Sequence, residues 1–189
     1  MGSQEDAYTI ALQNFRQQKD DFFFQSEDSP LTREARASGI GLQYFPPDFS
    51  LRIVPQVELL ANPQTIVMDT TDNDRREFIR FARFIFEIGE RRVQLYGYRS
   101  ANDHVHSGEA INVFIPFRDV LSGKETYGAG RYLDVEMEID QNGNADVVLD
   151  FNLAYNPYCA YNTNYSCPLT PLENTLPVPI YAGEKIFHD

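Results

Sequence analysis

The sequence predicts a mainly β protein: an antiparallel barrel or sandwich of about seven to nine strands, with an N-terminal α-helix packed on it. Three observations carry that prediction. One stretch near the start has apolar residues at helical spacing. From residue 41 onward, short apolar runs are separated by Gly, Pro and Asn. Between residues 131 and 152 the apolar residues alternate with polar ones at a strict period of two.

Residues 4–24 read as the helix. Ser3 suits the N-cap, and Glu5 and Asp6 complement the dipole of the first turn. Tyr8, Leu12, Phe15 and Phe22 mark the face expected to be buried, with Lys19 interrupting it. Phe22, Phe23 and Phe24 are consecutive and cannot share one face, so some of them must pack where the helix ends. Ser29-Pro30 starts a second, short helix with Gly39 just past its end. Phe45-Pro46-Pro47-Asp48 is a stiff turn, and strand patterns follow at 49–55, 64–70, 76–88, 91–99 and 111–117, with a turn at Gly89-Glu90. Pro116 points to an edge strand or a strand end. Residues 100–109 form a polar loop holding His104 and His106, and Ser122 to Gly130 form another loop.

In the 131–152 hairpin, Leu133, Val135, Met137 and Ile139 face one way on the outgoing strand. Ala145, Val147, Leu149 and Phe151 do so on the return. A two-residue Asn142-Gly143 turn would set Val135 against Asp150 and spoil both faces; a loop of three or five residues pairs apolar with apolar. Asp140 to Asp146 lacks the ligand spacing of a calcium-binding loop and reads as a turn.

The chain of 189 residues suits a single domain over 1–189, with a helical segment at 1–40 and a β-rich body at 41–189. A hydrophobic share of 42%, with 14 Phe and 11 Tyr, argues against intrinsic disorder. A net charge of −12 argues against nucleic acid as a partner, and no apolar run is long enough to span a membrane. The N-terminus has no basic-then-apolar order, so the expected compartment is the cytoplasm. Basic residues are mostly arginine, the lysines being Lys19, Lys124 and Lys185; a salt-adapted host and a genome-composition bias both explain that. In the cytoplasm Cys159 and Cys167 are expected as thiols, although their spacing permits a local disulfide. Without a close Cys-x-x-Cys they form no zinc signature even with His104, His106 and His188, and no metal or cofactor is assigned.

From Asn152 to Asn174 the chain is dense in Asn, Tyr and Pro and has no periodicity. A long aperiodic loop inside a compact body is a candidate site, offering amide groups beside flat aromatic faces. The alternative is that those side chains satisfy the loop's own backbone. The hairpin would bring Arg131, Tyr132, Asp150 and Asn152 to its open end, beside Tyr155, Asn156, Tyr161 and Lys185, forming a site for a small polar molecule. Arg131 suits a bidentate grip on an anion, or an ion pair with Asp150 or Asp134. Two other readings stand beside this one. The chain could be a hydrolase or lyase using Arg131, Asp150, Glu184 or Lys185, or a structural or interaction module without a ligand. Cys159 with a histidine base lacks any supporting spacing, and the expected state is monomer or homodimer.

Several long motifs stand out along the chain. They include Gly41-Leu42-x-Tyr44-Phe45-Pro46-Pro47-Asp48 and Ser122-Gly123-x-Glu125-Thr126-Tyr127-Gly128-Ala129-Gly130-Arg131-Tyr132-Leu133. Asp150-Phe151-Asn152-x-Ala154-Tyr155-Asn156-Pro157-x-Cys159-Ala160-Tyr161, Cys167-Pro168-Leu169 and Ala182-Gly183-Glu184-Lys185 stand beside them, and together these motifs resemble those of domain-of-unknown-function family 1684. The resemblance implies a small β-rich protein and brings no reaction, cofactor or catalytic residue with it.

Overall fold

A computed structural model describes residues 2–101, 110–140 and 143–187. His104, His106, His188 and Asn142, with the roles expected of them, lie outside the described residues. The chain is mainly β, as expected. Helices α1 (Gly2–Gln25) and α2 (Arg33–Ala37) precede β1 (Arg52–Ile53), β2 (Gln56–Asp69), β3 (Arg75–Ile88), β4 (Arg91–Ser100) and β5 (Ile111–Phe117). Then come β6 (Arg131–Ile139), β7 (Ala145–Asp146) and β8 (Leu149–Asp150). A curled six-stranded antiparallel sheet runs β2-β3-β4-β5-β6-β7, and β1 pairs with β8 in a small second sheet.

Most turns follow local chemistry. Gly89-Glu90 joins the paired residues Ile88 and Arg91, with Gly89 at a φ of 59°. α2 begins later than Ser29-Pro30 because Thr32 takes the N-cap, its side chain accepting from the Ala35 amide; Gly39, at a φ of 68°, ends it. Ser3 lies inside α1 instead of capping it. Phe49 to Leu51 form a 3-10 turn in place of a strand, with the Asp48 side chain accepting from the Ser50 amide.

Two irregularities shape the sheet. Phe81 is a bulge between the pairs Arg80–Tyr98 and Ala82–Gly97, so Phe81 and Ala82 both turn into the core, followed by Phe84 and Phe86. On β2, Leu60 to Pro63 stand opposite the same Phe81 and interrupt the ladder between Leu59 and Gln64.

The β6–β7 pairs are Glu138–Asp146 and Ile139–Ala145, with the Asp140 amide donating to the Asn144 carbonyl. That register keeps apolar opposite apolar, as a three- or five-residue loop requires. The hairpin is nevertheless much shorter than expected. At Leu149 the return strand leaves β6 and pairs with β1, setting Asp150 against Arg52, while Tyr132 pairs with Tyr155. Tyr8, Asn152 and Arg52 hold Asp150 there, an arrangement that strand alternation does not encode.

Pro116 is the penultimate residue of β5, a strand that lies between β4 and β6. β4 and β5 pair at Tyr98–Phe114, and beyond that Asn174 enters between them. Its Oδ1 accepts from the Tyr96 amide at 2.8 Å, and its Nδ2 donates to the carbonyls of Tyr96 and Pro116. A side-chain amide thus supplies the pairing that a proline nitrogen cannot.

The core lies against one face of the sheet. It is closed by Leu176, Val178, Ile180 and Ala182, which alternate inward along an extended segment outside the sheet. A second cluster of Phe23, Leu31, Leu42, Tyr161 and Phe187 receives the end of α1.

Candidate functional site

α1 lies on the body through a face different from the expected stripe. Leu12 and Phe23 are buried, whereas Phe15 and Phe22 remain 47% and 39% exposed. The inward positions between Tyr8 and Phe23 are mostly polar, with Arg16 donating to the carbonyl of Phe45 at 2.9 Å. Lys19, expected to interrupt the packed face, is its central contact: its ammonium pairs with the buried Glu184 and lies 5.1 Å from the Tyr155 ring centroid. Glu184 also accepts from the Asn156 amide at 2.7 Å and from the Tyr161 hydroxyl. Together with burial, this pushes the Tyr161 phenol well up. Glu184 is 1% exposed.

The seam under α1 is imperfectly satisfied. Arg16 Nε, Asp20 Oδ1, Tyr44 Oη and Asn156 Oδ1 are buried without a hydrogen-bond partner among the described residues. Burial raises the Asp20 carboxyl in the fold. Below its unfolded pKa the group is protonated in both states; as pH climbs through the folded pKa, the cost of holding a charge under α1 appears in full. Asp20→Asn is therefore expected to raise stability at neutral pH and to leave it unchanged at the acid end of the carboxylate range. Urea unfolding at both pH values checks this, and a variant destabilised at neutral pH would contradict it.

Beside this seam, α1 and the Asn/Tyr loop enclose a groove of about 610 Å³. Phe15, Gln18, Lys19, Phe22 and Phe23 form the helix wall. Pro157, Tyr158, Tyr165, Ser166, Cys167 and Pro168 form the loop wall; Tyr132, Tyr155 and Arg76 complete the lining. The rings are held from behind. The Tyr132 hydroxyl donates to the Pro168 carbonyl, the Tyr155 hydroxyl to Asp134, and the two rings meet edge to face at 5.8 Å. The volume falls within the range of small-molecule sites. Half of the lining residues are aromatic, and Lys19 and Arg76 are its cations.

The other nominated residues lie elsewhere. Arg131 is 1% exposed, and its guanidinium donates to Asp119 at 3.2 Å and to the carbonyls of Ile180, Ala182 and Glu184. Its carboxylate partner is thus Asp119 rather than Asp150 or Asp134. Burial pushes Arg131 down to about 10, with Asp119 opposing the shift. The preceding Gly130 holds a φ of 106° where a Cβ would lie 2.7 Å from the Phe117 carbonyl, so the backbone at this point requires glycine. Asp150 accepts from the Tyr8 hydroxyl at 2.7 Å and lines a separate cleft of about 490 Å³ with Arg52 and Asp134. Asn152 is spent on the backbone, accepting from the Asp48 amide at 2.8 Å and donating to its carbonyl at 2.7 Å. Asn156 donates to the Lys185 carbonyl, and the Lys185 ammonium lies 4.6 Å from the Phe45 ring centroid.

The loop therefore divides its work: Asn152 and Asn156 satisfy backbone, while Tyr155, Tyr158 and Tyr165 present ring surface to the groove. Tyr132 and Tyr155 are the nominated residues that line it. Phe15, Phe22, Tyr158, Tyr165 and Arg76 were missed; the signal for the helix wall was the i, i+3, i+4, i+7 set from Phe15 to Phe22. Arg131 and Glu184 meet through the Glu184 backbone carbonyl at 3.1 Å, and the crevice beside Glu184, Lys185 and Asn156 has no room for a water molecule.

Fold and groove together define a β-rich protein on a curled antiparallel sheet, with one long helix laid across it. The chain belongs to the family described as protein of unknown function, DUF1684, whose sequence model matches residues 40–185. It is similar to an uncharacterised protein of Haloarcula marismortui solved by solution NMR. That match has 34% identity and a TM-score of 0.70, and covers 98% of this chain and 97% of the other. Among curated proteins nothing matches. No described helix is long and apolar enough to cross a membrane.

Proposed function

We propose that the protein binds a small amphipathic molecule, with a flat apolar body and an anionic end, in the groove between α1 and the Asn/Tyr loop. The reading rests on three aromatic side chains left bare together along the groove of a strongly acidic chain. Phe15, Phe22 and Tyr158 keep 47%, 39% and 40% exposure there. Tyr132 and Tyr155 are fixed through their hydroxyls, so a ligand would stack on rings already in place. Arg76, at the groove on an exposed stretch of β3, supplies the charge for an anionic end. The ligand is thus more apolar than the small polar molecule expected from the sequence. Arg131, Asp150, Asn152, Asn156, Tyr161 and Lys185 act behind it by setting the walls. The same reading takes the chain as one domain acting in the cytoplasm, as a monomer or homodimer.

Anilinonaphthalene sulfonate, an aromatic anion, is a direct probe. A single saturable site on the native protein is expected, with a raised unfolding temperature. Phe15→Ser and Tyr158→Ser should weaken binding about tenfold or more, equal to ~1.4 kcal/mol. Both positions are exposed, so stability should shift by no more than about 0.5 kcal/mol. Unsaturable binding that ignores both substitutions would refute the reading. So would a concentration-dependent dimer that hides the groove and is broken by Phe22→Arg, which would make a second copy the occupant.

A further inference from the structure

We propose that Cys159 and Cys167 are a reversible dithiol–disulfide pair at the back of this groove, oxidised by a hydroperoxide. Both are free thiols, buried to 8% and 7% exposure, and they lie against each other. The Cys159 amide donates to Cys167 Sγ at 3.3 Å, which brings the two residues into direct contact.

Each sulfur is carried on fixed backbone. Cys159 sits in the 3-10 turn Tyr158–Ala160, closed by the Ala160 amide on the Pro157 carbonyl at 2.9 Å. Cys167 is clamped to Thr71: its amide donates to Thr71 Oγ1 at 3.1 Å, and its carbonyl accepts from the Thr71 amide at 3.0 Å. Buried cysteines that merely fill space have apolar neighbours around the sulfur and behave as small hydrophobes. Here the Tyr127 hydroxyl lies 3.8 Å from Cys159 Sγ, and Cys167 lines the groove through which a small oxidant can enter.

The two sulfurs are also unequal. Contact with Cys167 draws Cys159 below the usual thiol range against opposing burial, while Cys167 is raised. With Cys159 as the attacking thiol, Cys167 is the resolving one; in the reverse order the same atoms balance. The Cys159 thiolate attacks the distal oxygen of hydrogen peroxide; the O–O bond breaks, and the leaving hydroxide takes a proton to become water. That leaves a sulfenic acid on Cys159. Cys167 sulfur attacks Cys159 sulfur, the S–O bond breaks, and a second water departs with the Cys167 proton. Two thiols and one peroxide give one disulfide and two waters.

The test is to expose the purified full chain to hydrogen peroxide and map its peptides without reduction. The expected product has lost two hydrogens, contains one peptide pair cross-linked through Cys159 and Cys167, and returns to two alkylatable thiols with dithiothreitol. In Cys167→Ser and in Cys159→Ser the intramolecular disulfide should be lost, and the reaction should stop at a sulfenic acid on the remaining cysteine that dimedone captures. Two thiols still fully alkylatable after peroxide, cross-links only between chains, or sulfinic acid without the intramolecular disulfide would each overturn the proposal. The wild-type result needs no variant to fold, and it is independent of whether the groove holds a ligand.

Discussion

Arg131→Leu is expected to cost about 3–5 kcal/mol, because it leaves Asp119 buried and charged without its guanidinium. Against a typical total of about 5–15 kcal/mol, that removes a large share of the stability. The loss reaches beyond one ion pair. Arg131 also receives the carbonyls of Ile180, Ala182 and Glu184, so the extended segment that closes the core has its polar backbone satisfied from this one side chain. Asp119 is equally committed, accepting from the amides of Leu121 and Ile180 at 3.2 and 2.8 Å. Arg131→Lys should recover only part of the loss, since one ammonium cannot span a carboxylate and three carbonyls held by a planar fork. Urea unfolding followed by circular dichroism reads the effect. A Leu variant within 1 kcal/mol of wild type would show that the pair is dispensable.

The second large effect is expected at Lys19. Lys19→Met keeps the length and apolar stem of the side chain but strands the Glu184 carboxylate, and about 3 kcal/mol should be lost. Lys19→Met with Glu184→Gln removes the uncompensated charge, and the neutral amide oxygen still accepts from the Asn156 amide. The double variant should therefore be more stable than Lys19→Met alone, giving a coupling energy of about 1–3 kcal/mol. Hydrogen exchange offers an independent readout: amides of α1 should lose protection before those of β3 and β4. Additive single costs would mean that Lys19 and Glu184 are neighbours without being partners.

Both positions show where sequence reading reaches and where it stops. The strands from β3 to β6 and the shift of the hairpin away from a two-residue turn were legible because side-chain alternation reports them directly. The helix was legible in extent but not in orientation. A polar residue within an apolar stripe reads as a flaw in the face, whereas Lys19 is matched by a carboxylate 165 positions away. The same limit applies to Arg131. Strand pairing made Asp150 its obvious neighbour, yet the return strand leaves β6 for β1, and Asp119 reaches the guanidinium from the loop before β6. Asn174 shows it once more, since nothing local marks one asparagine as the piece completing two strands. Of the candidate site, the aromatic loop was visible by composition. The helix wall facing it was not, because assigning Phe15 and Phe22 to the core was the more economical reading of a helical repeat.

The bulge that carries Pro63 on β2 bears on how this protein behaves when concentrated. β2 and the two-residue β7 are the outer strands of the sheet. One is interrupted in mid-course where its ladder breaks, and the other is too short to offer a continuous row of amides and carbonyls. Templated stacking of one molecule's strand on another's is thereby disfavoured at both borders. A net charge of −12 adds repulsion between copies at low ionic strength and loses that effect as salt screens it. If two copies meet in a salt-rich medium, the encounter is directed away from the strands and toward the bare rings on α1. Self-association would then compete with whatever fills the groove, and would not lead to fibrils.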